Sequence, residues 1–339
     1  MSTVYIQPLK MNLGYQKFKA ALILIPLIIF FAYLCVGKYY IPLEHILSFS
    51  FPEPFEYTIF FNARLPRAIE AAVFGACMGI CGAALQTTLR NPLVSPYILG
   101  ISSGSAFGAA LAIALFGQGF FFLVQPSAII FGLIGIFLTL LVSRFRGQLS
   151  PISLVLGGVI VSALFSGLLS LIQILVDPEK TQTIVAWTIG RLNVITWGDV
   201  AVSVPLALLG IVGLLILRWR IFTLSMGDEE ARSLGINVER ERLLIVILAS
   251  VATASIISVT GIIGWVCLIS PHITRFIVGS DPIYLLPASI SVGASFMLVA
   301  DLISRTIWKF EIPVGIITTV IGAPLFLYLM RRSMHEWRN

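Results

Sequence analysis

The sequence predicts an all-α polytopic membrane protein with ten transmembrane helices and both termini in the cytoplasm. Of its 339 residues, 58% are hydrophobic and only 11% are charged, whereas soluble domains are about 45–50% apolar and about a quarter charged. The apolar residues fall into runs close to the roughly 20 residues that a helix needs to cross a bilayer. The basic residues lie in the short loops between these runs, so the net charge of +6 indicates membrane topology and not nucleic-acid binding.

Ten apolar runs define the predicted spans, which together form one transmembrane domain over residues 1–339. No small-residue cleavage site ends the first run, so we predict a retained span and not a signal peptide. The two halves of the chain are too dissimilar to indicate an internal repeat. The predicted spans are 20–36, 64–89, 97–115, 120–142, 152–176, 200–217, 243–261, 264–278, 284–303 and 313–330.

Basic residues predict the orientation of these spans. An even number of spans places both termini on one side, and the positive-inside rule selects the side. With the termini inside, fifteen of the 22 lysines and arginines are cytoplasmic. The seven outside are Lys38, Arg64, Arg67, Lys180, Arg191, Arg305 and Lys309. This orientation also places the charged stretch 227–242 in the cytoplasm.

Glycines and prolines indicate where helices approach closely or are interrupted. Gly75, Gly79 and Gly82 recur at spacings of four and three, which favours close helix packing over flexibility at a gate. Glycine and proline also recur over 261–271 and 313–324. Interrupted helices are tolerated at membrane depth where they line a cavity or are buried in protein, so either a transport path or ordinary kinks would produce this pattern.

Cysteine and serine motifs are interpreted as packing elements. The stretch GISSG at 100–104 matches the G-x-S-x-G nucleophile pattern, with His272 as a distant partner, but no strand precedes it. An intramembrane serine protease is therefore an alternative that the context disfavours. Cysteines in apolar runs act as small apolar residues. The four in this chain all lie in such runs: Cys35, Cys77, Cys81 and Cys267.

Few ionisable residues lie within the spans. Glu70 is six residues into the second span, about 9 Å by helix rise. Asp301 is four residues before Arg305, a spacing that permits an ion pair, and His272 is the only other titratable candidate. A proton-driven carrier usually keeps acidic residues or histidine near the midplane. A secondary carrier is thus a second alternative, and we expect the energy for transport to come from another subunit.

The stretch GDEEARSLGINVERER at 227–242 concentrates eight charged residues in sixteen. Three acidic residues follow Gly227, which suits the first turn of a helix, and Gly235 can end that helix. A solvated loop is one interpretation, and a docking surface for a cytosolic protein is the other. The candidate contact residues are Gly227, Asp228, Glu229, Glu230, Arg232, Gly235, Arg240 and Arg242.

The chain resembles the permease subunits of the iron-siderophore, haem and vitamin B12 ABC importers, the FecCD-like type II importers. The runs LRNPLVSPYILGISSG and ISPHITR are specific to that family. Matching stretches follow the order of the family and cover most of the chain from residue 64 onward. They are residues 64–104, 227–244, 261–281, 286–305 and 311–330.

This resemblance implies a type II ABC importer permease fold and a set of partners. A second permease, identical or paralogous, would pair with this chain around a central path in the bacterial cytoplasmic (inner) membrane. Two ATP-binding cassette subunits would dock below, with coupling helices at about 224–242 seated in their clefts. A solute-binding protein would dock above, its acidic residues facing Arg64, Arg67 and Arg305. Contact of these arginines with lipid headgroups is the alternative.

The predicted function is import of an iron-siderophore or a related metal chelate, with haem, cobalamin or molybdate as alternative substrates. The sequence carries no Walker A pattern, so ATP and Mg²⁺ are expected to be used by the partner ATPase and no cofactor by this chain. In the family the path is bordered by the second, fifth and tenth spans. Ser162, Ser166 and Gln173 share one face of the fifth span at spacings of four and seven, and we predict that they line it.

Overall fold

The computed structural model describes residues 13–117, 122–144 and 150–336, and this part of the chain is helical without strands. Lys10, Arg146, Arg338 and the predicted start of the fourth span at residue 120 lie outside it. The α-helices are α1 (Leu13–Cys35), α2 (Leu43–Ser48), α3 (Pro54–Thr58), α4 (Leu65–Thr88), α5 (Ile101–Phe116), α6 (Val124–Ser143), α7 (Pro151–Leu175), α8 (Pro178–Thr188), α9 (Trp197–Ile216), α10 (Arg218–Met226), α11 (Asp228–Ser233), α12 (Val238–Thr260), α13 (Val266–Val278), α14 (Pro282–Thr306) and α15 (Val314–Glu336).

Ten of these helical segments match the ten predicted spans, which confirms the all-α polytopic class. In the described part of the chain, six helical segments are long and apolar enough to cross a membrane: Pro54–Thr88, α6, α7, α9, α12 and α14. Four shorter apolar segments complete the set: Ala21–Cys35, α5, α13 and Val314–Leu329. The short helices α2, α3, α8, α10 and α11 fall between predicted spans.

The second span begins ten residues earlier than predicted. A π-helix at Ile59–Arg64 joins α3 to α4 without interruption, so the helical segment runs from Pro54 to Thr88. The polar pair Asn62 and Arg64 broke the apolar pattern and placed the predicted start too late. The extra turns extend the helix past the apolar run that the sequence shows.

Helix α4 lies at the centre of the fold, where glycines bring it against its neighbours. A Cβ at Gly75 would overlap the carbonyl oxygen of Gly293, and one at Gly79 would overlap that of Ser289, both on α14. A Cβ at Gly82 would overlap the carbonyl of Cys267 on α13. The packing interpretation of these glycines is therefore confirmed. All four cysteines are buried and unpaired by disulfides, as predicted.

An extended break separates α12 from α13. Gly261 has a φ of +70° and Trp265 a φ of +72°, so the backbone leaves one helix and enters the next through 261–264. Tyr97 donates its hydroxyl to the Ile263 carbonyl at 2.5 Å, which satisfies part of the exposed backbone. The predicted interruption is thus confirmed here. Pro271 and Pro324 lie inside α13 and α15 and do not end them.

Candidate functional site

The charged stretch folds as α11 and the start of α12. Three acidic residues occupy the first turn of α11, where the helix dipole favours negative charge. Gly235 has a φ of +78°, and its N–H donates to the Arg232 carbonyl at 2.9 Å. The Ile236 N–H donates to the Ala231 carbonyl at 3.1 Å. Both predictions, a helix start after Gly227 and a helix end at Gly235, are confirmed.

Asp228 holds this loop against the rest of the fold. Its carboxylate accepts from Arg90 at 3.0 Å and from Arg242 at 2.8 and 3.0 Å. Arg90 follows α4, while Arg242 is on α12 and is only 2% exposed. The side chains of Asp228 and Arg242 therefore contact each other, although the sequence pattern grouped them with the residues that face a partner.

The remaining residues of the loop form an exposed surface. Glu229, Glu230, Arg232 and Arg240 are exposed, and Leu234 among them is 65% exposed. A groove of about 410 Å³ lies between the end of α11 and the start of α12. Leu234 was missed by the sequence analysis, although an apolar residue at the end of a short charged helix is the signal that could have found it.

Two other residues that position the loop were also missed. Arg220 on α10 forms an ion pair with Glu241 on α12, so the two helices that flank α11 are joined directly. Arg90 contributed to the sequence analysis only as one positive charge on the predicted cytoplasmic side, but it has a φ of +49° and donates to Asp228. These pairs fix the base of the loop and leave its tip open to contact.

At the opposite, predicted outer end, Arg67 forms the centre of an ion-pair cluster. Its Nε and Nη2 donate to the two oxygens of Asp301, both at 2.9 Å. Its Nη1 donates to Glu311 at 2.8 Å. Asp301 also accepts from the Tyr33 hydroxyl at 2.5 Å. The predicted pairing of Asp301 with Arg305 is therefore wrong, because Arg67 presents its planar fork to the carboxylate from the adjacent helix.

The other two outer arginines are also held within the chain. Arg64 donates to the carbonyls of Leu34 and Cys35 at 2.8 and 3.1 Å and to that of Tyr39. Arg305 donates to the Tyr33 carbonyl and lies 3.8 Å over its ring. The end of α1 thus caps both guanidinium groups. All three arginines are buried.

Two cavities border this cluster. One of about 190 Å³ is lined by Lys38, the three arginines and Glu311. The other, of about 240 Å³, is lined by Arg67, Glu311, Ser304 and the segment 189–193. In that segment burial lowers the pKa of Arg191. Near the first cavity, burial and then the Glu53 carboxylate raise the pKa of Tyr39. Arg67 and Glu311 are common to both cavities.

The ionisable candidates inside the spans are engaged in helix packing. Glu70 is fully buried on α4 and its Oε2 accepts from Ser203 on α9 at 2.8 Å. His272 contacts the carbonyl of Leu268 through Nδ1 at 3.0 Å and packs edge-on against Phe326. Neither the carrier nor the protease alternative gains a site from these residues.

The GISSG stretch is a close-packing element. Ser103 donates to the Gly100 carbonyl at 3.2 Å, one turn earlier in the chain. A Cβ at Gly104 would overlap the Phe131 carbonyl, and one at Gly108 would overlap that of Ser127, both on α6. The small residues therefore serve contact between α5 and α6, as the sequence interpretation favoured.

The three predicted path residues lie along the border between the buried and exposed faces of α7. Ser166 is exposed, whereas Ser162 and Gln173 are half-buried. The Ser162 hydroxyl is buried without a hydrogen-bond partner, and the Gln173 carbonyl accepts from Thr181 at 3.0 Å. The shared helical face is present, and the lining of a path stays a prediction.

Comparisons with known proteins identify similar chains. A profile described as the FecCD transport family matches residues 23–332. A probable iron chelatin transport system permease protein of Helicobacter pylori is 42% identical over 275 residues, which is 81% of this chain and 83% of that protein. The molybdate import system permease protein of Haemophilus influenzae is 37% identical over 286 residues, 83% of this chain and 84% of that protein.

A solved structure of a metal-chelate type ABC transporter in an inward-facing conformation is similar to almost the whole fold. The TM-score is 0.85 at 37% sequence identity, and the alignment covers 94% of this chain and 100% of that one. A cobalamin import system permease protein of Halobacterium salinarum is 38% identical over 285 residues, 84% of this chain and 76% of that protein.

Proposed function

Because the chain belongs to the FecCD transport family, we propose that it carries an iron chelate across the membrane as the permease subunit of an ATP-driven importer. It is a multi-pass subunit of the inner membrane and not an enzyme, since ATP hydrolysis in these systems belongs to a separate subunit. The observation that carries the proposal is the extent of the similarity, which reaches 94% of this chain in the comparison with a solved metal-chelate type transporter.

The proposed assembly contains this chain as one transmembrane domain, residues 1–339, and a second permease that is identical or paralogous. Two ATP-binding cassette subunits, which use ATP and Mg²⁺, dock on the cytoplasmic side, and a solute-binding protein docks outside. Exposed apolar side chains along α7, among them Ile160, Leu164 and Leu171, supply surface for lipid or for the second permease. This chain itself requires no cofactor in the proposal.

The coupling surface is proposed at the tip of the loop 224–242. Leu234 offers an exposed apolar contact, and the charged residues Glu229, Glu230, Arg232 and Arg240 near it in the chain are also exposed. Gly227 and Gly235 give the loop its positive-φ turns. Asp228 and Arg242 join the loop to α4 and α12, so motion of the ATPase would reach the central helix through them.

The docking site for the binding protein is proposed at the outer cluster of Arg64, Arg67 and Arg305. The cavities beside them supply access for an incoming carboxylate, although the guanidinium groups themselves are largely covered. The path is proposed along α7 at Ser162, Ser166 and Gln173, which lie where its buried face meets the exposed one.

Transport by the reconstituted complex tests the proposed function. The complex is purified with its co-eluting ATPase, placed in liposomes, and assayed for ATPase activity with and without the binding protein. Uptake of a labelled ferric siderophore is compared with uptake of haem, cobalamin and molybdate, which are the alternative substrates. ATP-dependent uptake of the ferric chelate alone is the expected result. Uptake that follows a proton gradient without any ATPase would contradict it.

A further inference from the structure

The two carboxylates on Arg67 differ in exposure. Asp301 is fully buried and takes the Nε and Nη2 edge of the guanidinium. Glu311 takes Nη1 and is 30% exposed. Arg67 and Asp301 form the inner pair, in which both charges are removed from solvent. Asp301 also accepts a hydrogen bond from Tyr33, so this pair joins α1, α4 and α14. The outer pair lies at the rim of both cavities.

The backbone next to Glu311 is held by hydrogen bonds to α14. Glu311 lies in the connection between α14 and α15, and its neighbour Ile312 is fixed to the end of α14. The Ile312 N–H donates to the Ser304 carbonyl at 3.2 Å, and the Ser304 hydroxyl donates to the Ile312 carbonyl at 2.5 Å. With the backbone held there, displacement of Glu311 from Nη1 would proceed by rotation of its half-exposed side chain.

The charge around the smaller cavity favours an anion. Lys38 and three guanidinium groups line it, and Glu311 is the one carboxylate among its lining residues. An arginine with one edge bound still has donors on the other edge that suit a carboxylate. Since Asp301 is out of reach, Glu311 is the carboxylate that an incoming one would replace.

We propose that Glu311 is an internal competitor for the docking site: it occupies Arg67 in the undocked permease, and a carboxylate of the solute-binding protein displaces it. This inference rests on the proposed function, because it needs such a partner. The exchange substitutes one carboxylate for another on the same guanidinium, so Nη1 of Arg67 has a carboxylate partner both before and after docking. The internal pair weakens docking and prevents Arg67 from binding other anions.

The test is the affinity of the binding protein for Glu311→Gln transporter in nanodiscs. The matched control is Glu44→Gln, which removes the same charge from an exposed side chain of α2, on the same predicted side. Loss of a half-exposed ion pair is expected to tighten docking about 2- to 5-fold. Glu44→Gln should change the affinity of the binding protein less than Glu311→Gln does. Gel-filtration profile and basal ATPase activity establish that both variants are folded.

A second pair of variants identifies the residue through which Glu311 acts. In an Arg67→Lys background the gain from Glu311→Gln should disappear, because the forked donor is gone. One outcome is that the binding protein docks on wild-type transporter but binds the Glu311→Gln transporter equally well or more weakly. That result would overturn the inference and leave the proposed function standing. No docking by any variant would overturn both. A gain in binding of free ferric chelate, without the binding protein, would assign the cavity to substrate and also overturn the inference.

Discussion

Asp228 shows how one carboxylate changes role between sequence and structure. In the sequence it is one of eight charges in a cytoplasmic loop, and nothing distinguishes it from its neighbour Glu229. In the structure it accepts hydrogen bonds from Arg90 and Arg242, whereas Glu229 is exposed. The two acidic residues are adjacent in the chain and on the same short helix, so they form a natural pair for comparison.

We expect Asp228→Asn to lower substrate uptake several-fold and Glu229→Gln to lower it less, because Glu229 gives the proposed coupling surface one exposed charge, and an exposed ion pair contributes only about 0–1 kcal/mol. The amide loses the negative charge that two arginines share, and hydrogen bonds to charged groups contribute about 1.5–3 kcal/mol. Uptake by each variant is measured beside pull-down of the ATPase. Equal uptake by both variants would show that the Asp228 contacts do not transmit coupling.

At the level of elements, contact between α4 and α14 determines how the fold closes. Gly75 and Gly293 face each other so closely that a Cβ on either would overlap the backbone carbonyl of the other helix. In membranes such small residues let two helix backbones approach closely. Lipid provides no hydrophobic driving force for helix association, so van der Waals packing stabilises the contact instead. The ion pair of Arg67 with Asp301 joins the same two helices at their outer ends.

Gly75→Val is expected to destabilise the protein by about 1–3 kcal/mol, the usual cost of overpacking. The matched control is Gly167→Val on α7, where a Cβ would meet no atom within 4 Å. Thermal unfolding in detergent measures both. A Tm for Gly75→Val equal to that of the control would mean that the two helices can separate without loss, contrary to the packing described.

The face of α7 that carries Ser162, Ser166 and Gln173 provides a test of the path. In a background without the native cysteines, cysteine at each position should react with a membrane-impermeant thiol reagent in an outward-open state. Leu164 is exposed on the opposite side of α7, two residues from both Ser162 and Ser166, and serves as a comparison position away from the path. Protection of all three positions while a cysteine in an outer loop is labelled would place them outside the path.

At the scale of the whole molecule, the predicted cytoplasmic loop 227–242 exposes Glu229, Glu230, Arg232 and Arg240, whereas the outer arginine cluster is buried. Three guanidinium groups lie at the outer end, but carboxylates, carbonyls and a tyrosine ring cover them. Replacing all three by glutamate would place new carboxylates beside Asp301 and Glu311 and remove the contacts that the arginines make with α1 and α14. Lys38 is exposed at the edge of the same cavity and tests electrostatic docking without that damage.

Lys38→Glu is expected to slow association of the binding protein, and the rate for wild type should fall as salt rises from about 50 to 500 mM. Exposed charges act over a Debye length of about 10 Å at 0.1 M, so their effect lies chiefly on the association rate. Stopped-flow association kinetics measure both effects. A rate that is independent of salt and of Lys38 would contradict electrostatic steering at this cavity.

The sequence by itself determined the class, the spans and the family. Long apolar runs, the small residues at 75, 79 and 82, and the turn at Gly235 are local patterns, and local patterns suffice where one helix or one turn is concerned. The break at 261–264 was also visible, because glycine recurs there.

Only the tertiary structure decided which charges are paired. Arg67 and Asp301 are 234 residues apart in the chain, so the spacing of Asp301 and Arg305 suggested the wrong partner. The same limit hid Arg90 and Arg242 as the partners of Asp228, and Glu311 as the outer partner of Arg67. An ion pair depends on the distance between two atoms in space, and in a bundle of long helices that distance is set by which helices are neighbours.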